Sequence, residues 1–129
     1  MLKRGFKQML AEANAAIETL SVADAIKLVD DPKVALIDIR DKAEVQQTGG
    51  IKGATHASRG LLEFHADPDS PMYNPAFDQN KKLVLYCASG GRSALAAKTL
   101  KDMGYTNVAH VAGGFNAWTQ AGGPTEKKS

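Results

Sequence analysis

Cysteine is nearly absent: Cys87 is the single thiol in 129 residues. One thiol excludes an internal disulfide and a cysteine-built metal site, and it fits a reducing compartment. The three histidines, His56, His65 and His110, stand at no metal-ligand spacing, and no neighbouring residue marks one as a catalytic base. His110, inside the apolar run NVAHV, reads as a core histidine with its hydrogen bonds satisfied. No metal is expected. Long apolar runs are missing too. No window approaches the roughly 20 residues a membrane span needs. Lys7, Gln8, Glu12, Asn14 and Glu18 break up the N-terminal stretch, which is the wrong pattern for a secretory signal. A cytoplasmic protein without a membrane partner is the expectation. An excess of one charge is lacking as well. A net charge of +2, with dispersed lysines, is too mild to argue for nucleic acid.

What is present is an ordinary globular mixture, 43% hydrophobic and 23% charged, of a length that suits one domain. Leu2, Phe6, Met9, Leu10, Ala13 and Ile17 recur at helical spacing, so residues 1–20 read as an amphipathic helical extension. Its apolar face suits packing on the domain or on a second copy. Ser21 with Asp24 opens a short helix. The runs VALIDI (34–39), KLVLYC (82–87) and NVAHV (107–111) read as buried strands, and GATHAS as a further short one. Residues 93–103 form a helix ended by Gly104, and FNAWTQA (115–121) the last helix. The core domain spans 21–124, with 125–129 as a flexible tail. Alternating strands and helices predict an α/β fold whose parallel sheet carries helices on both faces. Ligands in such folds bind beyond the carboxyl ends of the strands, which is where Cys87 lies.

The stretch LYCASGGRSALAAKTL places that cysteine between a strand and a helix, followed by Ala88, Ser89, Gly90, Gly91 and Arg92. A strand, a glycine-containing loop and a helix N-terminus make an anion cradle of backbone N–H groups. A thiol in that field has a depressed pKa, and its thiolate is a nucleophile. Four residues separate Cys87 from Arg92, one fewer than in the phosphatase signature. The shorter loop makes a smaller cup, matched to a single sulfur atom rather than to a phosphate. A phosphatase or arsenate reductase on the related loop stays as an alternative.

These residues resemble the active-site loop of single-domain rhodanese-like sulfurtransferases. ALIDIRDKAEVQQTGGIKGATHASRG resembles the family's upstream signature, and MGYTNVAHVAGGFNAWTQAGGP its C-terminal one. The resemblance covers about residues 20–124 and leaves the N-terminal extension outside. It implies a mostly parallel five-stranded sheet with helices on both faces. It also implies transfer of sulfane sulfur, through a Cys87 persulfide, from a donor such as thiosulfate to cyanide or a thiol. No cofactor is implied. The partners are then a small sulfur donor and a thiol or cyanide acceptor, with a protein thiol as another acceptor. Either a monomer or a homodimer fits. A relay or binding module serving one protein partner is the reading from a different class.

On that resemblance Cys87 is the nucleophile, and Arg92 closes the loop and adds positive charge. The N–H groups of Ala88, Ser89, Gly90, Gly91 and Arg92 cradle the outer sulfur. Asp38 anchors the loop by accepting its hydrogen bonds, while Arg40 and Glu44, four residues apart, bridge each other in its support. Arg59 is the candidate for a second contact with the substrate anion. Ala88 stands where many thiosulfate-using members carry a basic residue, so a larger persulfide or a protein donor enters consideration. Leu62 and Phe64 are candidate walls of a rim over the site; Tyr105, Phe115 and Trp118 read as core.

Overall fold

The computed structural model describes residues 1–128. Branched apolar residues build its central strands. Strand β1 is Glu18–Leu20, β2 is Val34–Asp38, β3 is Gly50–Ile51 and β4 is Thr55–His56. Strand β5 is Lys82–Tyr86, β6 is Val108–Val111 and β7 is Thr125–Glu126. Five of them form one sheet in the order β1-β6-β5-β2-β4, parallel throughout. The expected α/β fold is therefore present. Strand β1 is not legible in the sequence: three residues, two of them polar and exposed, join the sheet only because β6 offers an edge.

Among the described residues, the six α-helices are α1 Phe6–Ala16, α2 Val22–Ile26, α3 Lys42–Thr48, α4 Leu62–Ala66, α5 Gly91–Met103 and α6 Gly114–Gln120. Successive side chains of a strand point to opposite faces. On β5 this sends Leu83, Leu85 and the following Cys87 into one core, with Ala96, Ala97 and Leu100 of α5 and Leu62 and Ala66 of α4. Val84 and Tyr86 enter the other core, with Ala25 of α2 and Phe115 and Trp118 of α6. Both faces are dry, which is why the strands read as continuous apolar runs rather than alternating ones.

Helix α1 packs on α5. Of its predicted apolar face, Ala13 is buried, whereas Leu2, Phe6 and Met9 are exposed. The C-terminal segment corrects an expectation. Residues 125–128 make contacts with the domain; β7 pairs antiparallel with β3, Glu126 Oε1 accepts the Gly53 N–H at 2.8 Å, and Lys128 Nζ donates to the Ala54 carbonyl at 3.0 Å. Ser129 lies outside the described residues. No described helix is long and apolar enough to cross a membrane.

Candidate active site

Strand β5 delivers Cys87 to the carboxyl edge of the sheet, and α5 begins four residues later. The chain turns between them at Gly90, whose φ of +111° is a conformation that only glycine adopts freely. This curl brings the Gly90 N–H to 3.1 Å and the Ser93 N–H to 3.4 Å from Cys87 Sγ. The Ser93 hydroxyl lies 3.6 Å away. Burial alone would push the Cys87 thiol up. The Ser93 hydroxyl and the N–H groups of Ser93, Gly90 and Ser89 outweigh it, so the thiol lies below its ordinary value. Cys87 is 1% exposed, while Ala88 and Gly91 are half-buried and Ser89 faces solvent.

Of the five loop residues named from the sequence, Gly90 brings its N–H to 3.1 Å from the thiol sulfur, and the Ser89 N–H also acts on it. Ser93, which follows the loop arginine, was not named, yet it makes two of the contacts to Sγ. Its signal is its place in the first turn of α5, where N–H groups have no helical partner.

Arg92 turns sideways. Its guanidinium grips Glu44 with two bonds, Nη1 to Oε1 at 2.7 Å and Nη2 to Oε2 at 3.0 Å. Glu44 Oε1 also accepts the Asp41 N–H at 3.1 Å, completing a capping box that starts α3. The Arg92 bonds and the Asp41 N–H hold the Glu44 carboxyl down to about 2. Arg92 therefore ties the loop to α3, with its charge still beside Cys87.

The expected Arg40–Glu44 bridge is not formed, which corrects that reading. Arg40 is 2% exposed and turns back onto Asp38: Nε lies 3.0 Å from Oδ1 and Nη2 2.7 Å from Oδ2. Arg40 also donates to Thr48 Oγ1 at 2.9 Å and to the Gly49 carbonyl at 2.7 Å, and it lies 4.4 Å over the Phe115 ring. Asp38 in turn accepts from Arg40 rather than from the cysteine loop. Burial decides both outcomes, because a guanidinium taken out of water needs the nearest anion and every N–H satisfied. Spacing along a helix could not reveal this, since Arg40 precedes α3 rather than lying on it.

The loop's second support comes from the Gly113–Gly114 turn. The Phe115 N–H donates to the Cys87 carbonyl at 2.8 Å and the Asn116 N–H to the Ala88 carbonyl at 3.1 Å. Gly114 makes this approach feasible, for a Cβ there would stand 2.4 Å from the Cys87 carbonyl oxygen. The turn that opens α6 thus also holds the cysteine loop.

Arg59 is placed elsewhere. Its guanidinium bonds Glu63 at 3.3 Å and Thr99 Oγ1 at 3.3 Å, and it makes no hydrogen bond to the cysteine loop. Leu62 is fully buried in the α5-side core, while Phe64 is 54% exposed. The rim reading therefore fails for Leu62. Among the described residues, no group of His, Cys, Asp and Glu could hold a metal ion.

Comparison with known proteins gives this geometry a family. The rhodanese-like domain matches residues 21–121. The chain belongs to the rhodanese-like family. Thiosulfate:glutathione sulfurtransferase of Saccharomyces cerevisiae is 30% identical over 117 residues, covering 83% of this chain and 81% of that protein. The polysulfide-sulfur transferase homodimer of Wolinella succinogenes superposes with a TM-score of 0.75 at 34% identity, covering 96% of this chain and 88% of that one. A protein of unknown function from Rhodopseudomonas palustris, described as a possible tyrosine phosphatase, superposes with a TM-score of 0.93 at 53% identity. That match covers 98% of this chain and 97% of the other. The sulfurtransferase relatives support sulfur transfer in general as the chemistry of this rhodanese-like chain.

Proposed function

We propose that the protein moves sulfane sulfur from a donor such as thiosulfate or a persulfide to cyanide or a thiol, with Cys87 as the carrier. In the first step the Cys87 thiolate attacks the donor's outer sulfur. The donor's S–S bond breaks, and the leaving group (sulfite, from thiosulfate) departs with the electron pair. In the second step the acceptor attacks the outer sulfur of the persulfide and Cys87 leaves as thiolate. Dividing the transfer in two lowers each barrier. The observation that carries this reading is the convergence of the Gly90 and Ser93 N–H groups on Sγ, at 3.1 and 3.4 Å. The same helix-start donors suit the outer sulfur of a persulfide, with the N–H groups of Ala88 to Arg92 around it.

Arg92 supplies charge near the incoming anion and holds the loop through Glu44. Arg59, engaged with Glu63 and Thr99, leaves Arg92 as the loop's own cation. With Ala88 adding none, a persulfide donor or a protein thiol suits the site as well as thiosulfate does.

Intact mass after incubation with thiosulfate tests the proposal. A gain of one sulfur, about 32 Da for the covalent intermediate, reversed by cyanide and absent in Cys87→Ser, is expected. A gain seen only with glutathione persulfide would restrict the donor. No gain with either donor would overturn the carrier reading. The description of the Rhodopseudomonas palustris relative favours a second reading, phosphate-ester hydrolysis. The tight wrap of the loop on Sγ weighs against it, and a chromogenic aryl phosphate should not turn over.

A further inference from the structure

Behind Cys87 runs a chain of side chains that the transfer reaction as described does not use. Ser93 Oγ lies 3.6 Å from Cys87 Sγ and 2.9 Å from His110 Nδ1. His110 Nε2 lies 3.1 Å from Asn14 Oδ1 and 3.1 Å from Thr19 Oγ1. Strand periodicity brings these groups to one face. His110 stands opposite Leu85 in the β5–β6 register and opposite Thr19 in the β1–β6 register. Cys87 is two residues beyond Leu85, so both side chains face α5. His110 is 3% exposed. Asn14 and Thr19 belong to α1 and β1, before the start of the family match at residue 21.

The partners of the ring decide its protons. The two groups at Nε2 are oxygens that can both accept from one N–H, so Nε2 carries the hydrogen and Nδ1 is left with a free lone pair. The tautomer is assigned by this network. The bare Nδ1 faces the Ser93 hydroxyl. In the thiol state Sγ–H donates to Ser93 Oγ, Ser93 donates to Nδ1 at 2.9 Å in place of the Gly90 carbonyl, which lies 3.2 Å away, and Nε2–H donates to Asn14.

We propose that Ser93, His110 and Asn14 form a relay that takes the proton of Cys87, making His110 a positioning residue of the nucleophile and α1 part of the active site. The proposal rests on Cys87 acting as a thiolate. In the step, the Sγ–H bond breaks and its electron pair stays on sulfur. That proton passes to Ser93 Oγ, and Ser93 gives its own proton to Nδ1. The products are a thiolate and an imidazolium, and the Ser93 hydroxyl now donates to sulfur. Asn14 Oδ1 and Thr19 Oγ1 accept from Nε2–H before and after the step. The arrangement parallels a Cys–His pair oriented by a third group, with one hydroxyl inserted.

Charged neighbours on the surrounding elements are engaged elsewhere. Glu12 pairs with Arg4, Glu18 with Lys82, Lys98 with Asp102, and Arg92 with Glu44. Lys101 donates to the Ala16 carbonyl. Among the described residues the imidazole thus has no carboxylate of its own. Its counterion in the charged state is the Cys87 thiolate. Burial pushes the His110 imidazole down. A surface cleft of about 400 Å³, lined by Leu10, Asn14, Ser89, His110 and Gly113 among others, runs along this junction between α1 and the loop.

The pH profile of Cys87 alkylation by iodoacetamide tests the relay without any sulfur donor. It is therefore independent of whether the chain transfers sulfur. His110→Phe fills the same space without a base. Its profile should shift upward by about one pH unit, a roughly tenfold slower alkylation at pH 7, with the alkaline plateau unchanged. Asn14→Leu, at a solvent-exposed position on α1, should shift in the same direction by less. A folded His110→Phe with an unshifted profile would overturn the proposal. If that variant fails to fold, an unshifted Asn14→Leu overturns it. A shift in His110→Phe alone would overturn the part given to α1. A lowered plateau without a shift would mark a purely structural role and would equally sink it.

Discussion

Cys87 depends on residues that never touch its sulfur, and two of them give sharp tests. Gly114 sits at φ +59°, and a Cβ there would stand 2.7 Å from both the carbon and the oxygen of the Ala88 carbonyl. Gly114→Ala therefore forces the cysteine loop outward. The expected result is a folded protein, destabilised by about 1–3 kcal/mol, whose Cys87 is alkylated more slowly. Thermal unfolding and alkylation rate check both halves. Glu44 gives a pH test. Its carboxyl, held down chiefly by the Arg92 hydrogen bonds, ionises at about 2 in the fold and near 4.5 in an unfolded chain. A depressed carboxylate contributes stability that is complete above the unfolded value and lost as pH falls through the folded one. Stability should thus drop between about pH 4.5 and about pH 2. Glu44→Gln should flatten that part of the curve in acid unfolding. The effect is small, because a third or more of each partner's side chain meets solvent.

At the scale of elements, the end of β2 is clamped to α3 and α6 by one buried cation. Arg40 joins Asp38, Thr48, the Gly49 carbonyl and the face of Phe115. Removing its anion leaves an uncompensated charge in the interior. Asp38→Ala should cost about 3–5 kcal/mol, read as a lower urea midpoint at unchanged slope. The strands β2, β5 and β6 and helix α5 were legible, because an apolar run between turn residues and a helical spacing closed by glycine are local patterns. The partners of Asp38, Arg40 and Glu44 were not. Their pairing depends on which carboxylate shares a buried environment, and four-residue spacing says nothing of that. The Glu63 and Thr99 partners of Arg59 were not legible for the same reason: position after a strand does not say which way a long side chain turns.

Over the whole molecule, helix α1 and the C-terminal segment 125–128 are tied into the domain. The C-terminal segment closes on β3, and Trp118 Nε1 donates to the Pro124 carbonyl at 3.0 Å. Ending the chain at Gly123 would leave that indole N–H without its partner and β3 without its paired strand. The shortened protein should be less stable by at least about 1–3 kcal/mol, with a lower thermal midpoint, while Cys87 alkylation at pH 7 stays near its original rate. The N-terminal end differs, since α1 packs on α5 and reaches His110.

The sequence by itself determined the α/β class, the strand-loop-helix around Cys87 and the short Cys-to-Arg spacing. Each of these is written in neighbouring residues, where composition and periodicity act directly on the backbone. Tertiary structure alone decided what surrounds them. It paired Arg92 with Glu44, 48 positions apart, and turned Arg40 inward. It also brought His110 and Asn14, 96 positions apart, to one hydrogen bond behind the cysteine. His110 looked like a satisfied core histidine, and its bonds are indeed satisfied. Only the register of β6 between β1 and β5 shows that what satisfies it leads to the sulfur. Contacts of that kind depend on which faces the packed sheet presents to α1 and α5, and no local pattern carries that information.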